Sequence, residues 1–280
     1  MIRNIAISKY FNTLVNSAKN PHFISGIKIM TLGEFNLIIK SSKKSLQLSK
    51  ILGKGNFVLI KKCIKQKDIN SLISTCLRLE KNTKQSFFKL DKKIPNFWRR
   101  ITEKKSRKYS LLTDRTSWYF FRWNKNSENI YKVFNSIWRK VKYISGLKSL
   151  EFEKLLPSDK SRIDRIQIVR YPDKSGFIEQ HTHPVRTLRV AVSVYMSTKG
   201  VDYVGGGTYF VKKNRKKIYP ENFIEAGDVG LFFTSLIHGV DKFKVKKTTN
   251  KKKDGRWWLG LYSPESDLIT NRVTSLKNKT

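Results

Sequence analysis

A chain of 280 residues with 39% apolar and 12% aromatic residues carries enough apolar material for one large domain or two ordinary ones, which excludes a disordered chain. No apolar run approaches the roughly 18–20 residues that a membrane-spanning helix requires, and two cysteines, Cys63 and Cys76, exclude a disulfide framework and point to a reducing, cytoplasmic compartment. The formal charge of +37 has two readings: lysine from an A- and T-rich base composition, or attraction to an anionic partner such as nucleic acid, a membrane surface or an acidic substrate.

The basic excess begins at the N-terminus. The first hundred residues contain only Glu34, Asp68, Glu80 and Asp91 as acids, and residues 1–33 contain none. An acid-free, mildly amphipathic start also fits an organelle transit peptide. The same bias continues well past any cleavage point, however, so residues 1–50 are read as a basic extension of short helices and loops.

"GNFVLIKKCI" (55–64) predicts a strand, and "KQKDINSLISTCLRLE" (65–80) an amphipathic helix, with Ile69, Leu72, Ile73, Cys76, Leu77 and Leu79 near helical spacing. Residues 81–117 have no clear period and are expected to be irregular with some helix. "SWYFFRW" (117–123) has strand composition. In residues 128–144 a stripe of Ile130, Val133, Phe134, Ile137, Trp138, Val141 and Ile144 predicts a second amphipathic helix.

From residue 163 the texture changes to short β-rich runs separated by turn signals: "RIQIVRY", "FIEQHTH", "LRVAVSVYM", "GGTYFV", "DVGLFF", "GVDKFKV" and "RWWLGLYS". Many short strands at close spacing predict an antiparallel sandwich or barrel, with its β-core over about 163–265. The lysine cluster "KKTTNKKKDG" (246–255) reads as an exposed hairpin tip, and 271–280 as a tail.

Two of the four histidines lie one residue apart in "FIEQHTHPVR" (177–186). On a strand, alternate side chains share a face, so His181, His183 and Glu179 project together. His238 lies on or beside a later strand, and His22 is in the N-terminal region. Three of four histidines in the β-rich half fit one metal site assembled across a barrel. Half-buried histidines with local hydrogen bonds are the alternative.

The order of these segments resembles the 2-oxoglutarate- and Fe(II)-dependent oxygenases, which are built on a double-stranded β-helix, or jelly roll. "YPDKSGFIEQHTHP" is similar to the family's proximal metal motif, "GGGTYF" (205–210) to the glycine-led strand after it, and "EAGDVGLFFTSLIHGV" (225–240) to the segment bearing the distal histidine. "DGRWWLGLYSPESD" (254–267) is similar to the closing strand, and "GNFVLIKKCIKQKDINSLI" to the strand and helix that open such domains. The resemblance implies a mainly β, α+β fold: a jelly-roll core with N-terminal helices packed on one sheet. That domain would span 51–270.

It also implies Fe(II) held by His181 and His238 and a 2-oxoglutarate carboxylate held by Arg256, whose planar fork matches such an anion. A hydroxyl from Tyr171, Tyr195, Thr208 or Tyr262 would assist. The chain departs from the family at His183, where Asp or Glu is usual. Three readings stay open: His183 as third ligand, a carboxylate from Glu179 or Asp241, or a degenerate site. Arg186 and Arg189 are candidates to grip an anionic substrate, and Trp258 is a candidate to stack on one.

The function implied is a hydroxylase acting on a small molecule. Two alternatives remain: a three-histidine dioxygenase of the cupin kind that needs no 2-oxo acid, and a basic nucleic-acid-binding protein with the jelly roll as scaffold. Base-demethylating members of the family carry a second arginine where this chain has Tyr262. Oligomeric state is not readable from the sequence.

Overall fold

The computed structural model describes residues 4–17, 19–88, 94–108, 111–153, 162–185, 189–246, 254–265 and 276–277. Helix α1 (Ile5–Asn16) starts where the Asn4 side chain accepts a hydrogen bond from the Ile7 amide. Strand β1 (Gly26–Thr31) runs straight into α2 (Leu32–Lys40) through a reciprocal capping box between Thr31 and Glu34. Then follow α3 (Ser42–Gly53), β2 (Asn56–Lys61), α4 (Gln66–Asn82), β3 (Phe97–Ile101), α5 (Glu103–Ser106), β4 (Thr113–Phe121) and α6 (Glu128–Ile144).

The remainder is β-structure. It comprises β5 (Arg165–Tyr171), β6 (Phe177–Thr182), β7 (Val190–Tyr195), β8 (Tyr203–Val204), β9 (Gly207–Val211), β10 (Lys217–Ile218), β11 (Val229–Phe233), β12 (His238–Asp241), β13 (Lys244–Val245), β14 (Arg256–Tyr262) and β15 (Leu276–Lys277). The main strand order is β1-β2-β11-β7-β14-β5-β4-β6-β12-β9-β10. β4 joins the two layers: Thr116–Phe121 pair with β5, whereas Thr113 and Asp114 pair with β6. The result is the jelly roll that the succession of short strands predicts.

Alternation decides what each layer faces. On β14, Trp257, Leu259 and Leu261 enter the main core with Ile166 and Ile168 of β5 and with Phe11, Phe35, Leu72, Phe134 and Trp138 of the helices. Trp257 stacks on Trp118 of β4 with ring centres 5.2 Å apart. The helices thus cover one sheet, and the opposite faces of β4, β5 and β14 turn into the barrel.

The N-terminal fifty residues contain a strand as well as short helices, since β1 pairs in parallel with β2, and Ile7, Phe11 and Phe35 are fully buried. Within 81–117, expected to be irregular with some helix, the structure also contains β3, paired with β4. "FWRRI" is buried at its two ends and half-buried between, so it lacks the apolar alternation that would announce a strand. Most of the lysine cluster at 246–255 and of the tail at 271–280 lies outside the described residues.

Candidate metal centre

His181 on β6 stands directly opposite His238, the first residue of β12, in the antiparallel ladder between the two strands. His183 follows the end of β6, and its amide donates to the Thr234 carbonyl at 2.9 Å, which ties it to the segment between β11 and β12. Ring centres lie 4.4 Å apart for His181 and His238, 5.0 Å for His181 and His183, and 5.2 Å for His183 and His238. One nitrogen from each ring falls within 4.8 Å of the other two, a spacing suited to a single ion.

Backbone carbonyls fix two of the rings. His181 Nδ1 lies 2.8 Å from Glu179 O, and His238 Nδ1 lies 2.7 Å from Leu236 O. A carbonyl only accepts, so Nδ1 carries the hydrogen in each ring and Nε2 keeps its lone pair. Burial, followed by the neighbouring His238 and His183, holds His181 well below the ordinary imidazole value. Burial and His183 hold His238 down at about 3. Both are therefore neutral donors at physiological pH.

Among the described residues the metal-binding cluster consists of these three histidines, and neither alternative carboxylate belongs to it. Glu179 Oε1 accepts from the Leu112 amide at 2.7 Å. Asp241 accepts from Lys217 Nζ at 2.8 Å and from the Tyr219 hydroxyl at 2.6 Å.

The trio lines a cavity of about 320 Å³ shared with Tyr171, Thr208, Arg256, Trp258 and Tyr262. Arg256, at the start of β14, is 1% exposed. Its Nε donates to Glu221 Oε2 at 2.9 Å, and its Nη2 donates to Glu221 Oε1 and, at 2.6 Å, to Thr208 Oγ1. Nη1 is a buried donor with no hydrogen-bond partner among the described residues. Burial opposes the charge on Arg256, but Glu221 outweighs it and the guanidinium pKa is raised. Tyr171 lies beneath, its ring centre 5.3 Å from the guanidinium carbon.

Glu221 had no signal in the sequence, because it sits in a single 3-10 turn, Pro220–Asn222, whose approach to β9 is a tertiary matter. Gly207 admits it. A Cβ there would lie 2.5 Å from Glu221 Oε2, at a φ of +97°. Gly207, the last glycine before "TYF", is thus a clearance for a buried carboxylate.

Of the other expected contacts, Trp258 lines the cavity, and Tyr195 is buried outside its lining. Arg189 reaches Ser145 O at 3.2 Å and Asn12 Oδ1 at 2.5 Å, holding α1 and the end of α6. Arg186 lies outside the described residues. Sequence reasoning did not single out Arg99, Arg115 or Arg165, which line the same cavity. The alternation of Arg165 and Gln167 with Ile166 and Ile168 was the available signal.

No family model matches the chain, and neither does any curated protein. Among solved structures, a prolyl-4-hydroxylase from Pseudomonas putida superposes with a TM-score of 0.51 at 11% identity, over 78% of this chain and 98% of that one. The two share a fold. Looser likenesses are an oxidoreductase of the 2OG-Fe(II) oxygenase family from Burkholderia pseudomallei (TM-score 0.44, 12% identity, 84% of this chain and 94% of that one) and a prolyl hydroxylase from Trichoplax adhaerens in complex with a hypoxia inducible factor peptide fragment (0.46, 11%, 84% and 93%). Among the described residues, no helix is long and apolar enough to cross a membrane.

Proposed function

We propose that this protein is an Fe(II)- and 2-oxoglutarate-dependent oxygenase that hydroxylates a small molecule. The observation that carries this reading is the convergence of three imidazoles in one jelly-roll cavity with a buried, incompletely satisfied guanidinium. His181, His183 and His238 are the proposed metal ligands, and Arg256 with Thr208 and Tyr171 the proposed seat of the cosubstrate. When bound, iron and the 2-oxo acid would activate O2, the 2-oxo acid supplying two electrons as it is oxidised to succinate and carbon dioxide, with one oxygen atom going to succinate and the other to a substrate C–H bond.

The chain's own residues do the rest. The carbonyls of Glu179 and Leu236 fix two donor rings so that Nε2 of each keeps the lone pair for an ion. Arg256 Nη1 offers a charged donor to a carboxylate that would otherwise be buried without a cation, a prohibitive arrangement. Trp258 and Phe232 add apolar wall and limit water at the site. Purified protein given Fe(II), 2-oxoglutarate and oxygen is expected to release succinate, and His181→Ala to release none. Failure of the wild type to bind both metal and 2-oxoglutarate defeats the reading.

One observation favours a three-histidine dioxygenase that uses no 2-oxo acid: Glu221 already occupies two sides of the Arg256 fork. An Arg256→Ala variant separates the readings. It abolishes 2-oxoglutarate binding in the first case and leaves metal-dependent oxygen chemistry intact in the second.

A further inference from the structure

Four arginines, Arg99, Arg115, Arg165 and Arg256, line the cavity, against one carboxylate among its lining residues, Glu265. Arg256 has Glu221. Arg99, Arg115 and Arg165 form no ion pair with any carboxylate among the described residues. They are grouped around aromatic rings. The Arg99 and Arg165 guanidinium carbons lie 5.1 and 5.2 Å from the centre of Tyr119, and Arg165 lies 5.6 Å from Tyr262. The Tyr262 ring in turn lies 6.1 Å from His183, so the arginine group is one ring removed from the candidate metal centre.

Strand register explains the grouping. Arg99 on β3 stands opposite Ser117 on β4, and Arg165 on β5 stands opposite Tyr262 on β14. Arg115, Ser117 and Tyr119 share one face of β4, the face turned into the barrel. Few of the guanidinium donors are used. Arg99 Nε donates to the Tyr119 hydroxyl at 3.0 Å and Arg165 Nη2 to Gln167 Oε1 at 3.1 Å. Arg115 Nε and Arg165 Nε are buried donors with no acceptor among the described residues.

Like charges gathered in a partly dry pocket repel one another and lose hydration. Burial, with Arg99 and Arg115 as further contributors, lowers the Arg165 pKa despite the neighbouring phenols, whereas for Arg115 burial is outweighed by the phenols of Tyr171, Tyr119 and Tyr262, which raise it. Such an arrangement serves stability poorly and anion capture well, because an entering oxyanion meets several preorganised forks at once.

We propose that Arg99, Arg115 and Arg165 form the binding site for an oxyanion, a carboxylate or a phosphate group, carried by the substrate. The location of the arginines follows from geometry alone; their assignment to the substrate rests on the oxygenase reading. That reading places the cosubstrate on Arg256 at the start of β14. Arg165 lies opposite Tyr262 at the other end of that strand, while Arg115, just before Thr116 in the register with Arg170, lies toward the Tyr171 end. The group would thus reach from beside the cosubstrate to orient the molecule being oxidised.

The test is calorimetric titration of the metal-free full-length protein with inorganic phosphate and, separately, with succinate, at constant ionic strength. Saturable binding is expected, weakened at least tenfold in Arg165→Gln and in Arg115→Gln. Lys212→Gln/Lys213→Gln, which removes exposed charge of the same sign, is expected to bind like wild type. Binding of phosphate or succinate that Arg165→Gln and Arg115→Gln weaken supports the site, and the tighter of the two anions names its preferred group.

Equal binding by wild type and both arginine variants overturns the proposal, as does loss of binding in the lysine variant alone. A parallel titration of Mn(II)-loaded wild type with 2-oxoglutarate reads the oxygenase assignment separately. If 2-oxoglutarate displaces phosphate competitively, the arginines serve the cosubstrate and the proposal falls. If 2-oxoglutarate does not bind at all, the oxygenase reading falls while the phosphate titration still judges the anion site. Folding is controlled by melting in phosphate-free buffer, where Arg165→Gln is expected at or above the wild-type midpoint, and by Arg165→Lys, which keeps charge without the fork and is expected to bind with intermediate affinity.

Discussion

His238 stands across the β6–β12 ladder from His181, with ring centres 4.4 Å apart and each Nδ1 held by a carbonyl two residues earlier in its own chain segment. Two donors are therefore preorganised by backbone pairing before any ion arrives. His181→Ala is expected to lower Mn(II) or Zn(II) affinity by more than the roughly 10–100-fold that losing a mere hydrogen-bonding neighbour of a ligand costs. Metal titration followed by calorimetry checks it; a tenfold effect or less would mean that the ion sits elsewhere.

The Arg256–Glu221 pair is buried at both ends, with both residues 2% exposed or less. Removing one member leaves an uncompensated charge, which costs about 3–5 kcal/mol in comparable buried pairs. Glu221→Gln is expected to lose stability in that range by chemical denaturation and to be stabilised more than wild type by 2-oxoglutarate with Mn(II), because the fork is released. Undiminished stability would show that the pair is not buried in solution.

Gly207 tests the same pair from another side. Gly207→Ala places a methyl group against Glu221 and forces a residue with a Cβ to a φ of +97°, a strain of about 1–3 kcal/mol. Thermal melting should fall accordingly, and 2-oxoglutarate affinity should change with it as Glu221 is displaced. A neutral substitution would mean that the approach is looser than described.

In the metal-free protein, stability should depend on pH through the histidines. Folding holds His238 at about 3, against 6.5 for an ordinary imidazole, so below about 6.5 the unfolded chain binds more protons than the folded one. Stability present above that value is lost as pH falls toward 3. Urea denaturation at about pH 7.5 and about pH 5 should show this loss, and His238→Gln should reduce the slope.

Much of the fold was legible because the strands are short, apolar and punctuated, and because the stripes of α4 and α6 are clean. The grouping of His181, His183 and His238 was legible from strand alternation plus order along the chain. β3 was not, because an edge segment containing two adjacent arginines carries no apolar period. Glu221 was hidden in a turn whose neighbours come from residues 207, 208 and 256. Arg165 and Arg115 were hidden for a different reason. A polar residue alternating with apolar ones on a strand ordinarily faces water, and only the covering of the apolar face by the helices turns these side chains into the cavity.

β4 hydrogen bonds to β5 along one part of its length and to β6 at its beginning, and it carries both Trp118 of the core and Arg115 of the cavity. The two walls of the barrel therefore cannot breathe independently. Amide exchange from β5 and from β6 should follow a single opening event with one free energy, so that the candidate centre would be exposed to solvent only when a large cooperative unit comes apart.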